Sequence, residues 1–184
     1  MPLLKEMDFM EDSEYTIEDI LALPEGERAE LIDGQMYMMA APSIRHQRLI
    51  GKAYLKIGNY ILERSGDCEV LQSPFAVFLN DESNYVEPDL AVICDPSKID
   101  ADGGCHGAPD WVMEVVSPSS RSMDYMIKVT EYQTEGVREY CVVDPAKDRV
   151  TVYGFETTHE VNEYTLRDAV PVGIYDDLTI TFDE

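Results

Sequence analysis

Six consecutive residues, Trp111-Val112-Met113-Glu114-Val115-Val116, are apolar except for one carboxylate in their middle. A run this apolar predicts a strand deep in a sheet. An unpaired carboxylate at that depth costs several kcal/mol, roughly, or stays neutral through a raised pKa. Strands accept such a residue for a metal, a cationic partner or a catalytic task. The competing arrangement is an edge strand with Glu114 facing water.

The surrounding pattern predicts a layered α/β chain. Thr16 and Asp19 form a weak capping box before a short helix that stops near Pro24. A hairpin follows, turned at Asp33-Gly34, where glycine tolerates positive φ. Residues 43–64 carry helical periodicity, with His46, Leu49, Ile50, Ala53, Ile57, Tyr60 and Ile61 on one face. Arg45, Arg48, Lys52 and Lys56 form a stripe on the neighbouring face. Strands are expected over 68–72, 74–80 and 89–95, then a loop over 96–109, then the Glu114 strand. Ser117-Pro118-Ser119-Ser120 offers capping hydroxyls to a helix over about 121–135, closed by Gly136. A hairpin around Ala146-Lys147-Asp148 and two shorter strands finish the chain. The order predicts a mixed β-sheet flanked by helices, with extra N-terminal and C-terminal hairpins.

With 184 residues, one domain over 1–184 is expected, preceded by a loose arm over 1–12. The chain carries 14 Lys and Arg against 37 Asp and Glu, a net charge of −23. That argues against a non-specific nucleic-acid coat protein, whose affinity rests on cations. At 45% hydrophobic the chain is too apolar for a disordered acidic tail. The acids concentrate at the two ends, whereas residues 44–64 carry net +4. One basic patch on an acidic body is compatible with a local anionic partner. No apolar run approaches the roughly 18 residues of a membrane span, and the N-terminus lacks a signal pattern. Cys68, Cys94, Cys105 and Cys141 form no CxxC pair, so buried reduced thiols in a cytoplasmic protein are expected.

Two further features bear on chemistry. Glu87-Pro88-Asp89 precedes an apolar strand. Alone it is ordinary turn chemistry, but Asp89 beside Glu114 would make an oxygen pair suited to Mg²⁺. Arg121, Asp124, Lys128 and Tyr132 share a helix face. Their spacing fits a surface Asp–Lys pair worth about a few tenths of a kcal/mol. It equally fits a lysine aimed at the carboxylates, where an ammonium stabilises charge on a phosphate. His46, alone on an apolar face, reads as a core residue. His106 and His159 make no ligand-spaced cluster, and Met36-Tyr37-Met38-Met39 reads as core filling.

These residues in order resemble the Uma-type restriction endonucleases, a branch of the PD-(D/E)xK nuclease superfamily. The matching pieces are Glu30-Leu31-Ile32-Asp33-Gly34, Pro42-Ser43 with His46, Pro88-Asp89-Leu90, and Gly107-Ala108-Pro109-Asp110. They continue through Glu114-Val115-Val116-Ser117-Pro118-Ser119-Ser120, Asp124 with Lys128, Tyr132, and Gly136-Val137-Arg138-Glu139-Tyr140. Together they cover about residues 14–155. The resemblance implies a restriction-endonuclease-like α/β core that binds Mg²⁺ or Mn²⁺. Asp89 matches the superfamily's PD aspartate and Glu114 its D/E residue, both metal ligands, with the Val115 carbonyl a further one. The superfamily's lysine normally falls two residues after the acid, which here is Val116; in the Uma-type branch it moves to the next helix, at Lys128. Glu30 and His46 match accessory positions, and Asp124 or Tyr132 would support Lys128.

The expected function is therefore Mg²⁺-dependent hydrolysis of DNA phosphodiester bonds by Asp89, Glu114 and Lys128. Arg45, Arg48, Lys52 and Lys56 would contact the DNA backbone, and a homodimer would join two basic stripes. Two rivals stand beside it. One is a catalytically inactive nuclease fold kept for binding or assembly. The other is a metal-free hydrolase, such as a glycosidase, with the two carboxylates as acid and base.

Overall fold

Chain order runs α1 (Ile17–Leu21), β1 (Ala29–Ile32), β2 (Gln35–Met38), α2 (Ile44–Glu63), β3 (Glu69–Gln72), β4 (Val77–Phe78) and β5 (Tyr85–Val86). It continues with β6 (Leu90–Ile93), β7 (Ile99–Asp100), β8 (Gly104–His106) and β9 (Trp111–Val115). The π-helical turn Met123–Ile127 leads into α3 (Lys128–Glu135). The last strands are β10 (Glu139–Asp144), β11 (Arg149–Gly154), β12 (Val161–Tyr164), β13 (Val170–Pro171) and β14 (Thr179–Ile180). This computed structural model describes residues 14–80, 83–100, 103–156 and 160–183. The anticipated arm over 1–12 and His159 lie outside the described residues.

The strands divide between two six-stranded mixed sheets, ordered β2-β1-β5-β4-β8-β7 and β12-β11-β10-β9-β6-β3, with β13-β14 as a separate ribbon. β9 is interior: it pairs parallel with β10 and antiparallel with β6. That removes the edge-strand arrangement for Glu114. Alternation along β9 separates two cores. Trp111, Met113 and Val115 pack against Leu49, Ala53 and Ile57 of α2 and against the C-terminal ribbon. Val112 and Val116 face the other way, toward Tyr132 of α3 and Ile32 and Val77 of the second sheet. Glu114 shares this second face.

Local chemistry accounts for the element ends. Ser43 caps α2, its side chain accepting from the His46 N–H at 3.2 Å. The β1–β2 hairpin turns at Asp33 and Gly34, with φ of +49° and +73°, the left-handed pair a two-residue hairpin needs. Gly136 closes α3 at φ +94°. Residues 96–109, expected as a loop, hold β7 and β8. Gly104 sits at φ +142°, where any Cβ would collide with the Ala76 carbonyl, so glycine is what lets β8 lie beside β4. Strands this short leave no periodicity to read. Among the described residues no helix is long and apolar enough to cross a membrane.

The expectation of four reduced cysteines fails at two of them: Cys68 and Cys94 form a disulfide. The reason is register. Antiparallel pairing of Glu69 with Ile93 makes residues 68 and 94 the next facing pair, a neighbourhood their separation of 26 residues conceals. Cys105 and Cys141 are buried free thiols, as expected.

Glu131 of α3 is buried with no hydrogen-bond partner for its Oε1. Burial, with Asp33 and Glu135 nearby, pushes its carboxyl up from 4.5 to about 7, against an Asn84 hydrogen bond. A value raised in the folded state means that the folded protein holds this proton more tightly. Stability is then greatest below the unfolded value and is lost as pH climbs from 4.5 toward 7. Glu131→Gln should remove that slope and gain about 1–2 kcal/mol at pH 8, solvent screening included. Urea unfolding at pH 5 and pH 8 measures it; parallel pH dependence in both proteins refutes it.

Candidate active site

Asp89 and Glu114 meet because of strand register. Leu90 of β6 pairs with Met113 of β9, so the next positions face each other on the same side of the sheet. The contact is reciprocal: the Asp89 N–H donates to Glu114 Oε2 at 3.3 Å, and the Val115 N–H donates to Asp89 Oδ2 at 2.7 Å. Asp89 Oδ2 also lies 3.0 Å from His46 Nε2, which α2 projects toward the sheet. His46 therefore touches the acidic centre, where its position on an apolar face had suggested a core residue.

Helical spacing brings the next three groups. Asp124, Lys128 and Tyr132 stack at four-residue intervals through the π-helical turn and α3. The Lys128 Nζ lies 2.7 Å from Glu114 Oε1 and 2.8 Å from Glu30 Oε2. The Tyr132 hydroxyl donates to Glu114 Oε1 at 3.1 Å, so it fixes the acid rather than the lysine. Asp124 accepts from Ser120 Oγ at 2.6 Å, and its main-chain carbonyl accepts from the Tyr140 hydroxyl at 3.1 Å. Arg121 leaves this face and pairs with Asp144. Glu30 arrives from β1 of the other sheet and is anchored by the Glu87 N–H at 3.0 Å.

The centre is buried and crowded with acids. Glu114 is 5% exposed and Lys128 3%. Burial pushes the Glu114 carboxyl well up, and Asp89, Glu30 and Asp124 push the same way against Lys128. Burial alone would lower Lys128, but Glu114, Glu30 and Asp124 outweigh it and hold the ammonium well above the ordinary lysine range. Burial raises Asp124 against the pull of Lys128 and Ser120. For His46, burial opposes protonation, while Asp89 and the Val115 carbonyl together raise its pKa.

The group opens into a cleft of about 1090 Å³ walled by α2, the Ser117–Ser120 segment, β2 and the β10–β11 turn. Arg45 stands on its rim and donates to the Pro145 carbonyl at 3.1 Å. Arg48, Lys52 and Lys56 are exposed along α2 and do not line the cleft; Lys52 bonds Asp183. The reading of Met36-Tyr37-Met38-Met39 as core filling holds only in part. Met36 and Tyr37 pack against the cores, Met38 is exposed, and all four border the cleft. Tyr37 pairs with Glu30 across the hairpin and so shares its face. Counting back from the Asp33-Gly34 turn would have revealed that neighbour.

Among the described residues no three His, Cys, Asp or Glu side chains stand close enough to enclose a metal alone. A hard cation that keeps waters needs fewer protein oxygens. Asp89 Oδ1 accepts no hydrogen bond among the described residues, beside Glu114 and the Val115 carbonyl that faces His46. Three carboxylates, Glu114, Glu30 and Asp124, act on the Lys128 ammonium, and a fourth, Asp89, adjoins Glu114. The donor set and the excess negative charge fit Mg²⁺ or Mn²⁺.

Comparison with known proteins bears on the same residues. The family profile described as "Uma2: Putative restriction endonuclease" matches residues 17–181. A protein of Synechocystis named "Uncharacterized protein slr1290" is 28% identical over 128 residues, 69% of this chain. The match spans 66% of that relative's length, just under two thirds. A crystal structure from Anabaena variabilis, titled as that of "a putative nuclease belonging to DUF820", superposes with a TM-score of 0.68 at 22% identity. It covers 85% of this chain and 88% of that one. At that identity the likeness establishes the shared restriction-endonuclease-like fold.

Proposed function

The chain belongs to the Uma2 family, and on that premise we propose that its cleft hydrolyses phosphodiester bonds in DNA with Mg²⁺ or Mn²⁺ as cofactor. One observation carries the reading: Asp89 and Lys128, 39 residues apart in sequence, both meet Glu114, the Asp89 N–H at Oε2 and the Lys128 ammonium at Oε1.

Asp89, Glu114 and the Val115 carbonyl would hold the cation, which when bound supplies positive charge beside the phosphate and lowers the pKa of water. The chain's own groups supply the rest. Lys128 stays cationic between Glu30 and Glu114, so its charge is in place before the phosphate arrives and needs no reorganisation. Tyr132 holds the Glu114 carboxylate in one orientation, and His46 and the Val115 N–H hold Asp89 by Oδ2, leaving Oδ1 without a hydrogen bond among the described residues. Water attacks phosphorus, the bond to one ester oxygen breaks, and that oxygen leaves with a proton derived from the water. Arg45 on the rim suits a backbone phosphate contact, which positions without reading sequence.

The test is cleavage of supercoiled and single-stranded DNA with Mn²⁺, wild type beside Glu114→Ala. Cleavage should fall at least about 100–1,000-fold in the variant, the range for losing one preorganised group at the reacting centre. Equal cleavage by the two proteins overturns the proposal. The net charge of −23 favours one alternative, a fold retained for binding without catalysis. Complete inactivity of wild type on both substrates would support that alternative.

A further inference from the structure

The β10–β11 turn stands between two cavities. Pro145 and Ala146 wall the large cleft, whereas Lys147 and Arg149 wall a second cavity of about 270 Å³ on the other side. Arg121, Ser122, Tyr125 and Met126 complete the second cavity. Its lining holds three cations and, among the described residues, no carboxylate, on a chain with a net charge of −23.

Each cation is presented rather than hidden. Asp144, fully buried, braces Arg121 through two contacts, one of them Nη2 to Oδ1 at 3.1 Å. The same Asp144 accepts the Ala146 N–H at 3.2 Å and its carbonyl accepts the Lys147 N–H at 3.2 Å, which fixes the turn that carries Lys147. Arg149 reaches an exposed Glu163 at 3.1 Å. The Lys147 ammonium has no partner among the described residues. Met126, 69% exposed, and half-buried Tyr125 add an apolar floor. Space of this size lies below the usual range for a complete small ligand, roughly 300–1,000 Å³. It suits a single charged group with a ring beside it.

We propose that this cavity binds a phosphate of the nucleic-acid backbone beyond the scissile one, with the adjoining sugar against Met126 and Tyr125. The proposal rests on the nuclease reading above and adds where the strand goes: over the β10–β11 turn, away from the α2 stripe. Cation–phosphate contacts of this kind release counterions, so they are read by the salt dependence of binding.

Binding is measured with fluorescein-labelled single-stranded and duplex oligonucleotides in EDTA, where no metal-dependent cleavage occurs, across a range of salt. Lys147→Ala should weaken binding several-fold at low salt and flatten the slope of log K against log salt by about 1. Lys147→Arg should restore both. Lys56→Ala, an equal charge loss on α2, should leave both unchanged. Inorganic phosphate serves as the second arm: it should compete only weakly, and competition as strong as that of the oligonucleotide makes this a free-phosphate site and overturns the assignment. An unaltered slope in Lys147→Ala, or an equal loss in Lys56→Ala, also overturns it. The two readings fail separately. An unaltered slope beside Glu114-dependent cleavage removes only the phosphate site. A Lys147-dependent slope without Glu114-dependent cleavage removes only the nuclease.

Discussion

Lys128→Met should destabilise the protein by about 3–5 kcal/mol, the range for removing one partner of a buried ion pair. Among the described residues the ammonium is the only cation within 3 Å of both Glu30 and Glu114, and methionine of similar length leaves those buried carboxylates without a counter-charge. The loss should depend on pH. In the variant the positive charge that opposes the burial of Glu114 is gone, so this acid binds its proton still more tightly in the folded chain. Stability is then recovered toward pH 5 and lost toward pH 8. Adding Glu30→Gln to Lys128→Met removes one of the unpaired charges and should restore part of the loss. Chemical denaturation of the single and double variants measures each step. A Lys128→Met protein as stable as wild type at pH 8 would mean that the lysine is not the counter-charge of the cluster.

Asp89→Asn should abolish stabilisation by Mg²⁺ or Mn²⁺ and lower cleavage by about 1,000-fold or more, on the order of 4 kcal/mol of transition-state stabilisation. Asparagine keeps an oxygen for the Val115 N–H, so the fold should tolerate it. Without metal the variant should match or exceed wild-type stability, because one of four crowded carboxylates becomes neutral. With metal at 100 times its dissociation constant, wild type should gain about 2.7 kcal/mol that the variant lacks. Thermal unfolding with and without Mn²⁺ reads this independently of any DNA substrate. A wild-type protein indifferent to both cations would overturn the assignment of Asp89 as a metal ligand.

Much of the centre could be read along the chain because single elements carry it. Glu114 stands out as the one charge in a buried strand. Lys128 and Tyr132 fall on one helix face at a spacing of four, and the tertiary structure places that face against Glu114. Asp89 by itself reads as ordinary turn chemistry, and it gains meaning only as a possible second oxygen ligand beside Glu114, a pairing that strand register supplies. The basic stripe expected to contact DNA is a different case: Arg45, Arg48, Lys52 and Lys56 share a helix face, but among them only Arg45 lines the cleft.

What the sequence determined by itself is local: which segments are helices, which strand hides a carboxylate, and which side chains share a face within one element. These follow from periodicity and burial cost, which act over a few residues. The tertiary structure decided everything that depends on which strands lie side by side. It set Glu30 against Lys128 across 98 residues, Cys68 against Cys94, Tyr37 on the wall of the cleft, and three cations around a turn. Pairing register is chosen by the packing of whole sheets on their cores, so no short stretch of sequence contains it.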